Sequence, residues 1–114
     1  MKFSNYGYCN CCDSETRFIS EDDWWRDHYI CVKCGSIPRE RALMYCIDHF
    51  FPKWRDSIIH ESSPSKRGAS LRLKRESPGY IPTHFFPEIK SGKIYKGFRC
   101  ENLEHLTFKD ESID

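Results

Sequence analysis

Four of the seven cysteines fall into two CxxC pairs, Cys9–Cys12 and Cys31–Cys34, with eighteen residues between Cys12 and Cys31. Two intervening residues let a tight turn aim both sulfurs of a pair at one point, with backbone amides available to donate to them. Two such pairs at this separation have the spacing of a zinc site. Four thiolates close a tetrahedron and leave no position for a substrate, so the expected ion is structural zinc. Gly35 follows the second pair, where the chain often needs a positive φ. Cys11 could replace Cys9 or Cys12 as a ligand, but only the Cys9/Cys12 pair has the CxxC spacing.

The remaining composition supports a metal-stapled globular chain. In 114 residues, 18 Lys+Arg stand against 17 Asp+Glu, which excludes a polyanion binder driven by net charge but leaves room for a local basic patch. At 39% hydrophobic the chain is globular with a modest core, and a chain this short gains from a staple. An odd number of cysteines fits a full disulfide framework poorly. The N-terminus MKFSNYGYCNCC has no apolar stretch of signal-peptide length, and no apolar run reaches membrane-spanning length. The expected location is the reducing cytoplasm, where clustered cysteines hold metal.

Along the chain, residues 1–36 read as the zinc ribbon, with strand-like pieces at Arg17–Ile19 and Tyr29–Ile30. Aliphatics are too few there to fold without the metal. His28 is expected at the surface, and the Trp24–Trp25 pair is expected to dock on the following helix, with nucleic-acid stacking as the alternative. Residues 37–56 read as a linking helix and turn. Ser36 is the expected N-cap and Pro38 sits in the first turn. Leu43, Cys46, Ile47 and Phe50 have the spacing of a buried face, with Arg39, Glu40, Arg41 and Asp48 mostly opposite and Pro52 as the stop. Cys46 and Cys100 are expected in the core.

Residues 57–114 alternate strand and helix signals, as βαβ units on a parallel sheet do. A buried strand over Ile58–Ile59 runs into His60–Glu61, and a small-residue loop reaches Gly68. A short helix over about residues 69–76 has Leu71 on its apolar side. A second strand contains Tyr80–Ile81 and His84–Phe86, with Pro82 pointing to a sheet edge. Residues 87–94 read as loop, and Gly97–Cys100 as a third strand. A strand ending in an acid, followed by small residues and a helix, is how a doubly wound fold builds a cofactor crevice. With one glycine in place of a G-x-G-x-x-G run, the residues alone also fit an ordinary polar loop.

The segments WRDHYIC (25–31), CGSIPRERAL (34–43), FPKWRD (51–56), IHESSPSKRGAS (59–70) and RCENLEHLTFKDESID (99–114) together resemble a family of class I S-adenosylmethionine-dependent methyltransferases. In that family a cysteine-rich element precedes a Rossmann-like domain. The resemblance spans nearly the whole chain in order. It implies a small zinc ribbon followed by a partial α/β Rossmann-like domain of about three parallel strands, with S-adenosylmethionine as cofactor. It implies that Glu61 ends the first cofactor strand, that Ser62, Ser63 and Gly68 form the loop passing the methionine end, and that Arg67 lies near the cofactor carboxylate. Asn102 falls where an adenine-facing aspartate usually sits, and Glu101 beside it shares that role.

Two departures from the family pattern bear on function. Residues 81–86 carry no carboxylate for the ribose hydroxyls, and the next acid is Glu88. Asp110–Asp114 matches the turn into a fourth strand, so the resemblance implies a chain ending before the residues nearest the transferred methyl. The expectation is a cofactor-binding half without activity of its own, whose methyl acceptor and general base are unassigned. An unfinished sheet would leave an open edge for self-association or a partner chain. The alternative reading is a zinc-ribbon module binding nucleic acid or protein through Lys33, Arg39, Arg41 and the tryptophans.

Overall fold

The structure is a computed structural model that describes residues 2–114. It has two sheets joined by helices. In the first, β1 (Phe3–Cys9) pairs antiparallel with β2 (Ser14–Ser20), and β2 with the short β3 (Ile30–Cys31). The β1–β2 turn carries Cys11 and Cys12, and the turn after β3 leads to Cys34, so both CxxC pairs sit at one end of this sheet. Between β2 and β3, helix α1 (Trp25–His28) is held by Trp25, which stacks on Tyr29 and packs against Phe3 at 4.4 Å. Trp25 thus packs on rings of the ribbon itself. His28 lies at the surface, where its Nδ1 meets Asp22 Oδ2 at 2.8 Å.

Helix α2 (Pro38–Phe50) forms where expected, with Pro38 in its first turn, but Ile37 is the N-cap and not Ser36. The Glu40 carboxylate accepts the Ile37 N–H at 2.9 Å, satisfying one of the orphan donors of the first turn. The buried face is also rotated from the expected one. Ile37 and Met44 are fully buried and Ile47 is half-buried, whereas Leu43, Cys46 and Phe50 are exposed. Cys46 is therefore a surface thiol. Apolar residues lie on both sides of α2, and the choice falls to the side where Glu40, Arg41 and Asp48 find partners.

After a 3-10 turn (Trp54–Asp56) comes the second sheet. Strand β4 (Ile59–Ser62) pairs parallel with β5 (Tyr80–His84), and helix α3 (Gly68–Glu76) crosses between them. β5 pairs parallel with β7 (Phe98–Cys100), whose outer side carries the antiparallel β6 (Ile94–Tyr95), which begins at the last residue of the stretch expected as loop. The order is β4-β5-β7-β6. Ile58 is 38% exposed and β4 is half-buried, so this strand is less enclosed than its apolar run suggests.

Pro82 lies in β5, a central strand and not an edge. Ser63 N–H donates to the Thr83 carbonyl while Glu101 N–H donates to that of His84, so odd positions of β5 face β4 and even positions face β7. The register with β7 begins only at Thr83–Arg99. The N–H that proline lacks would point to where no ladder has yet formed.

One core joins the two layers. Phe18 and buried Cys9, Cys11 and Cys31 from the ribbon meet Met44 of α2, Trp54, and Ala69 and Leu73 of α3. Leu71 is 42% exposed, so Ala69 and Leu73, not Leu71, mark the inner side of α3. Cys100 is fully buried, as expected.

Arg72, 2% exposed, lies on that seam. It donates to the Asn10 carbonyl and to Asp48 Oδ2, each at 2.6 Å, and to Glu76 Oε2 at 3.0 Å. Burial pushes Glu76 up, but hydrogen bonds from Arg55, Arg75 and Arg72 outweigh it and bring its carboxyl down from 4.5 to about 2. A depressed folded-state pKa contributes stability that is complete above the unfolded value and is lost as pH falls through the folded one. Acid titration followed by tryptophan fluorescence should therefore show native stability falling between about pH 4.5 and 2. Glu76→Gln should flatten that part of the profile, and an unchanged slope would contradict the assignment.

Gly68 opens α3 with φ of +61°, and a Cβ there would meet the Glu40 carboxylate carbon at 2.9 Å. Gly68→Ala therefore adds both left-handed strain and a steric conflict, an expected loss of about 1–3 kcal/mol in urea unfolding. A neutral result would show that the contact relaxes freely.

Candidate functional site

The Sγ atoms of Cys9, Cys12, Cys31 and Cys34 all lie within 4.8 Å of one another, and these four cysteines could hold a metal ion. Cys9 and Cys34 are 3.8 Å apart, and Cys12 and Cys31 are 3.5 Å apart. Four thiolates about 2.3 Å from a tetrahedral zinc would be separated by about 3.8 Å, so the donor set and its spacing fit such an ion.

The two knuckles share a backbone pattern. Asp13 N–H bonds to the Cys9 carbonyl at 2.8 Å, and Gly35 N–H to that of Cys31 at 2.9 Å. Asp13 (φ 55°) and Gly35 (φ 70°) occupy the same left-handed position. The amides of Cys12 and Lys33 point at the sulfurs of Cys9 and Cys31, each at 3.4 Å. This is the amide-to-thiolate arrangement expected of CxxC turns.

Several neighbours were not marked by the CxxC pattern. Ser36, fully buried, puts its hydroxyl 3.1 Å from Cys34 Sγ and 3.6 Å from Cys9 Sγ, where it can donate to a thiolate. Thr16 does the same for Cys31 at 3.6 Å. Cys11 is buried but stands outside the converging four. Its thiol bonds to Cys9; that bond, with the Cys12 and Cys11 amides and the Ser36 hydroxyl, lowers Cys9 against the effect of burial, and the same bond raises Cys11 itself. Arg41 braces this shell by bonding to the carbonyls of Ser36 and Tyr29 and lying 4.6 Å over the Phe18 ring. The periodicity of α2 places Arg41 opposite the expected buried face, because nothing local indicates that its acceptors are carbonyls of the ribbon.

The second group of expected site residues lies around the loop after β4. Ser63 (φ 55°) and Gly68 (φ 61°) both adopt the left-handed conformation, bending the loop between Ser62 and the start of α3. Several side chains here are committed to internal contacts. Glu61 accepts from Tyr80 OH at 2.6 Å and from Ser70 Oγ at 2.8 Å. Burial and that carboxylate both push the Tyr80 phenol up. Arg67 pairs with Glu40 of α2 at 3.1 Å.

Glu101 and Asn102 follow β7, beyond the end of β5. Glu101 is 1% exposed and accepts from Arg99 Nε at 2.6 Å and from the Thr107 hydroxyl and amide at 2.7 and 2.9 Å. Burial raises its pKa, but the Thr107 and Arg99 hydrogen bonds prevail and hold the carboxyl below its ordinary value. Asn102 closes the following turn, pairing with His105 and accepting from the Glu104 amide. The fold thus brings Glu61, Ser62, Ser63, Arg67 and Gly68 together, while Glu101 and Asn102 belong to a separate turn.

No protein-family model matches the chain, and no curated protein or solved structure matches it either. Among the described residues no helix is long and apolar enough to cross a membrane.

Proposed function

We propose that this chain is the N-terminal, cofactor-binding portion of a class I S-adenosylmethionine-dependent methyltransferase, with its four cysteines holding structural zinc. The observation carrying this reading is the parallel β4–α3–β5 unit, in which Glu61 lies one residue before the end of β4 and the two left-handed residues Ser63 and Gly68 bend the chain into α3. In open α/β sheets, ligands bind outside the carboxyl ends of the strands, and backbone that turns sharply there allows close approach. The small side chains of Ser62, Ser63 and Gly68 suit that approach to the methionine end.

The committed side chains set the expected strength. Glu61, Arg67 and Glu101 spend their hydrogen bonds within the protein, so affinity would rest on the loop backbone. Weak binding without methyl transfer is the expectation, in the reducing cytoplasm and with the acceptor unassigned. Titrating S-adenosylmethionine into labelled protein should shift the amides of residues 62–68 with an affinity no tighter than high micromolar. Absence of shifts in that loop at millimolar cofactor would remove the reading, and tight stoichiometric binding would overturn the expectation of weakness.

A nucleic-acid role for the ribbon is less well supported. Lys33 bonds to Ser14 and the Glu15 carbonyl, Arg39 pairs with Asp27, and Arg41 is engaged as described above. The edge of β4 turned away from β5 is met just before its start by Asp114, which bonds to Ile58, and the remainder is a place for a further strand or a second copy to pair.

A further inference from the structure

A cavity of about 490 Å³ opens on the sheet face beside α3, and none of the expected cofactor residues lines it. Its existence follows from the topology. The connection from β5 to β7 contains the small β6 hairpin and no helix, so nothing packs beside α3 over that part of the sheet. The even positions of β5, Tyr80, Pro82 and His84, form the floor together with Phe98 of β7, while Lys66 and Lys74 stand on the α3 side. The volume lies within the range of about 300–1,000 Å³ typical of small-ligand sites.

The chemistry of the lining is one-sided. No acidic side chain lines the cavity, the nearby Glu61 carboxylate being capped by the Tyr80 and Ser70 hydroxyls, and neither Lys66 nor Lys74 has a salt-bridge partner among the described residues. Two uncompensated ammonium groups over a concave, low-dielectric floor focus positive potential into it. Three aromatic rings, Tyr80, His84 and Phe98, supply flat apolar surface, and His84 meets Phe98 edge-on at 4.4 Å. Planar rings take up a base by stacking, and lysines bind phosphate as point charges.

We propose that this groove binds a nucleotide, with its base against the Tyr80–Phe98 floor and its phosphate between Lys66 and Lys74. The inference goes beyond the cofactor reading, because S-adenosylmethionine carries no phosphate and its expected contacts in this region, Glu61, Ser62, Ser63, Arg67 and Gly68, do not line the groove, although Pro64, Ser65 and Lys66 of the same loop do. The test is a titration of the 114-residue chain with adenosine 5′-monophosphate, followed by amide shifts. The expected shifts are at Leu71, Lys74 and Phe98, and they should weaken as salt is raised. Adenosine and inorganic phosphate, each offering half of the ligand, should each bind at least about tenfold more weakly. Lys66→Gln/Lys74→Gln, at two exposed positions, should keep the native spectrum and lose a similar factor. A short single-stranded RNA that binds more tightly than the mononucleotide would make the ligand one unit of a strand, and no gain would make it a free nucleotide. Shifts absent at millimolar nucleotide, or equal affinity in the double variant, would overturn the proposal. Leu71, Lys74 and Phe98 lie outside the loop of residues 62–68, so their shifts keep either outcome distinct from cofactor binding there.

Discussion

Replacing Cys31 with serine is expected to unfold the ribbon and to take the shared core with it. A structural zinc in a small thiolate site contributes an apparent free energy of about 10–16 kcal/mol, comparable to the entire stability of a domain at about 5–15 kcal/mol. The ribbon has little to offset such a loss, since its buried apolar residues are Phe18 and the cysteines themselves. Cys9, Cys11 and Cys31 also pack in one cluster with Met44, Trp54 and Leu73, so collapse at the metal exposes α2 and α3. Circular dichroism and amide dispersion should show a largely unfolded variant, and prolonged chelation of the native chain should reach the same state. Cys46→Ser supplies the control. Cys46 is exposed on α2, and its replacement should change stability by less than about 0.5 kcal/mol. A folded Cys31→Ser chain would mean that the core, and not the metal, organises the ribbon.

The second large effect is expected at Arg72. Its guanidinium joins the ribbon through the Asn10 carbonyl, α2 through Asp48 and its own helix through Glu76, with Trp54 beneath it. Arg72→Met preserves volume but leaves Asp48 and a buried carbonyl without their cation. Breaking a buried charge network from one side costs about 3–5 kcal/mol, and urea unfolding should show a loss in that range. Arg72→Lys should recover only part of it, because a single ammonium cannot reproduce a planar fork bonding in three directions. A loss below about 1 kcal/mol for Arg72→Met would show that the seam is held by apolar packing alone.

The cluster of four cysteines that could hold a metal was legible in the sequence because its information is local. Two CxxC turns specify backbone geometry and donor chemistry within a few residues, and the amides and the Gly35 conformation are where the spacing implies. The existence of α2, α3, β4, β5 and β7 was legible for similar reasons, through Pro38, the small-residue loop and the alternating signals. Facing was not. On α2, Leu43, Cys46, Ile47 and Phe50 have the right period, yet of these only Ile47 turns inward, beside Ile37 and Met44. Glu40, Arg41 and Asp48 decide this by reaching the loop before α3, the ribbon and Arg72 respectively. Hydrophobic periodicity cannot register a helix whose polar residues face its neighbours.

The same cause blurs the loop after β4. Arg67 and Gly68 carry the resemblance to a cofactor site, yet both also serve the contact with Glu40, so their presence has a structural as well as a functional explanation. The Gly68→Ala and cofactor titrations separate the two, one reading folding and the other reading binding.

The claim on which the fold rests is that four converging thiolates hold one ion, and metal content measured by native mass spectrometry tests it most directly. One zinc per native chain is expected, lost together with the folded charge-state distribution when the ion is chelated, and absent from Cys12→Ser. A chain that carries no metal as purified from zinc-supplied cells and keeps its compact distribution would contradict it.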